Sequence, residues 1–306
     1  FVSFSLKSQS IYGADSLECV KNRAIYVSHI DNKDYASALK PWRYAFLNCP
    51  AAKENTFRHG PKIIKERIKV DKENKSAYID TLMMVFDKRI QYFGKEAYVL
   101  GLKGFELVLI DKSRSAEALA YLKKSLEIQK NSSSVQAVYG YMQAMVNLEK
   151  SGEKLPSDVL GAYALVSEII DFNIINETKA AKHFMKYSVK IENLFTPYAN
   201  CDDLINLFSQ KFEDKINDSD FLKRMIKLLS DKKCTDSDLF FKASTRLYAL
   251  EPSAHSAYQM SKMSISKGKR SDALAFAKKA IEAEEDPHKK AKYYLTDQAI
   301  LIVIDK

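Results

Sequence analysis

The chain has 306 residues, carries 48 Lys and Arg against 39 Asp and Glu for a formal net charge of +9, and is 46% apolar. That apolar content excludes a disordered chain, and the length is ample for burying a core. Nine glycines and seven prolines are too few for the many turns of an all-β chain, and no apolar run reaches the roughly 20 residues of a membrane span.

Phe1-Val2-Ser3-Phe4-Ser5-Leu6 is apolar, and Ser8-Gln9-Ser10 is small-x-small. The pattern resembles the tail of a secretory signal peptide, so residues 1–14 are assigned to such a remnant or to an unstructured N-terminus. The sequence is read as a piece of a longer protein at both ends. Asp15-Ser16 can cap a first helix running to about Ile30, because short oxygen-bearing side chains satisfy free amides at a helix start.

The second helix lies within Lys33–Pro50. Ala38, Trp42 and Ala45 recur at helical spacing on one face, and Cys49-Pro50 stops it. A third helix spans Ala52 to Val70, with a kink or break expected at Gly60-Pro61. Lys75 to Phe93 places Tyr78, Leu82, Val85, Phe86 and Ile90 on one stripe and ends at Gly94. Lys95 to Ile110 follows, with Gly101 and Gly104 where another backbone can pass closely. Helices at Ser115–Ile128 and Ser134–Glu149 complete a first half, 15–150.

Lys150-Ser151-Gly152-Glu153-Lys154-Leu155-Pro156 reads as the linker, with Pro156 favourable at a helix start. Helices are then expected at Pro156–Ile170, Glu177–Phe195, Cys201–Lys215, Asp218–Ser230, Thr235–Leu250, Ala254–Lys267, Ser271–Glu284 and from Lys289. Asn176 reads as a helix cap. Residues 156–306 form the second half, continuous with the first. The whole is about fifteen helices with no convincing strand, hence stacked antiparallel pairs.

Three blocks repeat one pattern. In Lys33–Pro50 the face is Ala38, Trp42 and Ala45. In Ser115–Ile128 it is Ala118, Leu122 and Ser125. In Arg270–Pro287 it is Ala273, Ala277 and Ala280, with Gly268 in the turn and Pro287 closing. A helix, a tight turn and a second helix with small residues at this spacing resembles a tetratricopeptide repeat. The resemblance covers about a third of the chain and implies a right-handed α-solenoid.

Four cysteines, Cys19, Cys49, Cys201 and Cys234, allow three pairings. Cys19 lies near the start of one helix and Cys49 just past the end of its antiparallel partner, which puts both at the same end of the hairpin. Cys201 and Cys234 bracket a second hairpin in the same way. The expected bonds are therefore Cys19–Cys49 and Cys201–Cys234, with reduced core cysteines as the alternative. The stretches NKDYASALKPWRYAFLNCP and IDTLMMVFDKRIQYFG, with the bracketed cysteines, resemble exported tetratricopeptide proteins of Bacteroidetes-type bacteria. That resemblance implies a periplasmic or outer-membrane-associated protein and brings no assigned activity; without export the chain would be cytoplasmic.

Catalytic and cofactor motifs do not stand out. The five histidines are scattered, and HExxH, CxxC, GxSxG, P-loop and GxGxxG patterns are missing. The expectation is no enzyme, no cofactor and no metal. Lysines are spread along the chain, often beside glutamates, which reads as solvated helix faces. In tetratricopeptide arrays the first helix of each pair lines the concave groove. Aligning the three blocks implies that Arg23, Lys103, Tyr258, Gln259 and Lys262 sit there, facing a protein or peptide partner. The lysine-asparagine clamp of some family members has its lysine position at Lys103, but Leu107 stands where the asparagine would. Two rivals remain: a basic helical-repeat nucleic-acid binder, and a helical enzyme with a cleft near the Lys150–Pro156 linker.

Overall fold

The computed structural model describes residues 16–291 and 293–295. The expected N-terminal remnant lies outside them. The described residues are helical and contain no strand. The helices are α1 (Ser16–Asp31), α2 (Tyr35–Asn48), α3 (Asn55–Val70), α4 (Lys75–Phe93), α5 (Glu96–Ile110), α6 (Ser115–Gln129), α7 (Val135–Lys150), α8 (Pro156–Ile175), α9 (Ala181–Phe195), α10 (Cys201–Phe212), α11 (Ser219–Asp231), α12 (Asp238–Leu250), α13 (Ala254–Ser266) and α14 (Arg270–Ala283). Helical backbone resumes at 287–291 and 293–295.

The chain divides into two compact units at Phe195 and Thr196. Helices α8 and α9, which follow the Lys150–Pro156 linker, pack against α7 and belong to the first unit.

Within the first unit consecutive helices pack as antiparallel pairs, α1 with α2, α3 with α4, α5 with α6 and α7 with α8, and α9 closes the unit against α7 and α8. The repeat faces do what the resemblance implies. Ala38, Trp42, Ala45, Ala118, Leu122 and Ser125 are all buried. Small residues allow the close approach: a Cβ on Gly104 would lie 2.8 Å from the Ala118 carbonyl oxygen, so α5 and α6 meet almost backbone to backbone. Trp42 anchors the first pairs. Its indole Nε1–H donates to the Thr56 carbonyl at 2.8 Å and its ring stacks on Phe46 at 5.0 Å. Phe57 then links Phe46 to Phe93, at 5.7 Å to each ring.

In the second unit α11 packs on α12, α12 on α13 and α13 on α14. Ala273, Ala277 and Ala280 are buried on α14, and Tyr258 stacks on Tyr293 at 4.3 Å.

Several local expectations are corrected. Gly60-Pro61 lies inside a continuous α3. Pro61 forfeits one backbone hydrogen bond, but Phe57, Ile63, Ile64 and Ile68 on the same helix are buried, and that packing outweighs the loss. Helix α8 continues past Ile170, because Ile170 and Asn173 are buried and the Asn173 amide donates to the Asn131 carbonyl at 2.9 Å. Asn176 consequently caps the C-terminus of α8, its amide donating to the Phe172 carbonyl at 2.8 Å, instead of starting the next helix.

The four cysteines pair as the hairpin argument expects. Cys19 joins Cys49 with Cα atoms 6.0 Å apart, and Cys201 joins Cys234 at 5.5 Å. Both distances fall in the normal disulfide range. Among the described residues no helix is long and apolar enough to cross a membrane.

Candidate functional site

Helices α3, α5 and α7, each the first of its pair, and α9 after them expose one common face in the first unit. Three side-chain contacts tie them in a row. Lys65 on α3 donates to Glu106 on α5 at 2.7 Å. Phe105, next to Glu106, meets Tyr139 on α7 edge to face with centroids 6.4 Å apart. Tyr139 meets Tyr187 on α9 in the same manner at 5.4 Å.

Periodicity explains why α5 offers an apolar surface on this side. Tyr98, Leu102, Phe105 and Leu109 recur at helical spacing and each stays exposed or half-buried. The opposite stripe, Val99, Lys103 and Leu107, is buried. On the same side α7 offers Gln136, Tyr139 and Gln143, with Lys150 on that stripe only at the C-terminal end of the helix.

The centre of this surface is held rigid by a relay of hydrogen bonds. The Tyr139 hydroxyl donates to Gln143 at 3.3 Å, the Gln143 amide to Asn147 at 3.0 Å, and the Asn147 amide to Ser115 on α6 at 2.9 Å. Burial, and secondarily Tyr187, pushes the Tyr139 phenol above the usual tyrosine range, so it stays a neutral donor. A row of half-exposed aromatics on fixed rotamers provides contact area at little entropic cost to a bound partner. Basic side chains flank the row, and the Lys190 ammonium lies 4.8 Å from the Tyr187 ring centre.

The residues expected to line the groove fare unevenly. Arg23 on α1 is half-buried, and its Nε and the Nδ1 of His59 are both buried without a hydrogen-bond partner among the described residues. Gln259 and Lys262 are exposed on α13. Lys103 is a correction: it is buried and donates to Asp87 on α4 at 2.6 Å, with its ammonium 4.1 Å over the Tyr121 ring. It shares the stripe of Val99 and Leu107, so the repeat alignment is off by part of a turn on α5. Tyr258 is likewise core, stacked on Tyr293, with Lys262 lying 5.6 Å over its ring. Tyr258, Gln259 and Lys262 share one stretch of α13 in the second unit, whereas Arg23 and Lys103 belong to separate helices of the first.

Phe105, Tyr139 and Tyr187 were missed because each belongs to a helix with a weak repeat pattern. The available signal was the recurrence of half-exposed aromatics along α5, α7 and α9, which only neighbouring helices can convert into a row.

A second concavity opens between α6, α7 and α8. It measures about 380 Å³, has Leu126, Tyr141, Leu165 and Ile169 as its apolar lining, and carries Lys123, Glu127, Lys130 and Glu168 among its charged groups. Nowhere among the described residues do three His, Cys, Asp or Glu side chains gather as metal ligands could.

Stacked antiparallel helix pairs with small residues buried at the repeat faces define an all-α helical-repeat fold. No family model matches the sequence, and no curated protein does. Among solved structures, a tetratricopeptide repeat protein from Parabacteroides merdae is similar at 12% identity, with 92% of this chain and 99% of that one covered and a TM-score of 0.39. PilW, described as a widely conserved type IV pilus biogenesis factor, is similar at 13% identity over 93% of this chain and 99% of its own, with a TM-score of 0.33.

Proposed function

We propose that this chain is a non-catalytic scaffold that holds a protein or peptide partner on the α3–α5–α7–α9 face, in an oxidising compartment of the cell envelope. The observation that carries the reading is the Phe105–Tyr139–Tyr187 row: three half-exposed aromatic rings from three helices, the central one braced by a hydrogen-bond relay. Aromatic anchors in a rigid setting are what protein-binding surfaces concentrate. The compartment is supported by the two cysteine pairs, since structural disulfides persist where the surroundings are oxidising.

Crosslinking in native envelopes, followed by mass spectrometry of the captured partners, tests this. The double variant Tyr139→Ala, Tyr187→Ala should lose the partner while its circular dichroism stays that of the parent. Undiminished capture by a folded double variant would move the binding surface elsewhere.

A further inference from the structure

The charges around the aromatic row are arranged in an order. Along α3, Arg58, Lys62, Lys65 and Lys69 fall at helical spacing on one stripe. Along α9, Lys182, Lys186 and Lys190 do the same. Between them, the middle of the face carries no cation: Lys103 of α5 is turned into the interior, and Lys150 of α7 lies at the far end of its helix, three turns past Tyr139. The carboxylates near these stripes are few. Glu106 is taken by Lys65 at 2.7 Å, Glu66 by Lys69 at 3.1 Å and Glu54 by Arg89 at 2.8 Å, while Glu192, the one carboxylate of α9, is buried. Arg58, Lys62, Lys182, Lys186 and Lys190 make no ion pair among the described residues. The face is thus basic, then apolar, then basic.

We infer that the partner segment is acidic at both ends and apolar in the middle, and that it crosses the four helices in extended form. This rests on the reading of the face as the partner-binding surface. Three interaxial steps of about 8–10 Å separate α3 from α9, a span of about 24–30 Å. An extended strand covers that with about eight residues at ~3.3 Å each. Aspartate or glutamate at one end meets Lys62 and Arg58, apolar side chains in the middle lie on Leu102, Phe105 and Tyr139, and the other acidic end meets Lys186 and Lys190. Opposite potentials at both ends set the register as well as the attraction. Single-stranded nucleic acid fits less well. Its charge runs along its whole length, whereas Leu102, Phe105 and Tyr139 in the middle of the face are neutral side chains. The rings also meet one another at 68° and 76°, which leaves no parallel platform for successive bases.

Fluorescence anisotropy with labelled probes decides the matter on the full chain. The probes are a short peptide with Glu at both ends and Leu and Phe between, the same peptide with Gln for Glu, the same with Lys for Glu, and an oligothymidylate. The Glu peptide should bind about tenfold tighter than the Gln peptide at low salt and lose that margin at high salt, as exposed charges do. The Lys peptide should bind weakest. Lys62→Gln with Lys186→Gln and Lys190→Gln should erase the Glu peptide's margin over the Gln peptide. Equal binding of the Glu, Gln and Lys peptides would overturn the charge pattern while leaving the face as a binding surface. If Tyr139→Ala changes the binding of none of the peptides, the face itself is wrong. Tighter binding of the oligothymidylate than of any peptide would replace the acidic segment with nucleic acid.

Discussion

Gly60 lies against the indole of Trp42, so close that a Cβ at position 60 would come within 2.7 Å of Trp42 Cζ2 and 3.0 Å of a Val85 methyl. The absent side chain on α3 is what lets the one tryptophan of the chain sink completely between α2 and α3. Gly60→Ala should therefore destabilise the protein by about 1–3 kcal/mol through overpacking, although alanine is the better helix former. Trp42→Ala should cost about 3–5 kcal/mol by leaving a cavity. Urea denaturation followed by circular dichroism measures both. Native tryptophan fluorescence should be blue-shifted and resistant to acrylamide; a readily quenched signal would contradict the packing.

Lys103 provides a separate test. Its side chain is 5% exposed, whereas that of its partner Asp87 is 56% exposed. Lys103→Glu would bury a carboxylate beside a carboxylate and should cost about 3 kcal/mol. Lys103→Met keeps the aliphatic stem over Tyr121 and leaves Asp87 to water, so about 1 kcal/mol or less is expected. Equal losses for the two variants would show that packing, not charge, governs this position. In contrast, Lys262→Glu on exposed α13 should leave stability nearly unchanged.

The cysteine pairs close loops of sequence separation 30 and 33. Loops of this length are worth about 3–4 kcal/mol each on the chain-entropy model, an upper guide because reduced hairpins retain helical structure. Peptide mapping without reductant should recover Cys19 linked to Cys49 and Cys201 linked to Cys234. Reduction should lower the melting temperature of both units. A crossed pair such as Cys19 with Cys234 would contradict the hairpin order.

His59 makes stability depend on pH. Burial, then the neighbouring cation Lys62, holds its pKa below the usual histidine range, with Arg23 and Arg58 adding to the effect and Asp31 opposing it. A depressed folded-state value means that the unfolded chain binds more protons in the interval between the two values. The contribution is therefore fully present above the unfolded value of about 6.5 and is lost as pH falls from there through the folded value. Urea midpoints should fall between about pH 7 and about pH 5, and His59→Gln should flatten that decline. The T-shaped contact of His59 with Tyr26, at 5.9 Å, should survive only with the neutral ring's packing, so a parallel loss of near-ultraviolet dichroism is expected in the parent.

Much of the fold was legible in the linear order of residues. Helix positions followed from apolar spacing, and Ser134 and Asp218, where two of the expected helices begin, each accept a backbone amide hydrogen bond at a helix start. These are local effects, decided within a turn or two. Cysteine pairing was legible for the same reason: a hairpin of two helices is a local object, and its geometry puts Cys19 beside Cys49. Other features depended on neighbours far along the chain. The continuity of α3 through Pro61 is decided by the burial of Phe57, Ile63, Ile64 and Ile68 against neighbouring helices. The orientation of Lys103 is decided by Asp87 and Tyr121 on adjacent helices, and a rotation of part of a turn separates an exposed lysine from a buried one. Periodicity names the residues that share a stripe but not which stripe faces solvent when both carry apolar side chains, as on α5. The row of Phe105, Tyr139 and Tyr187 exists only after three helices are laid side by side, because residues 34 and 48 positions apart have no local interaction that could announce their contact.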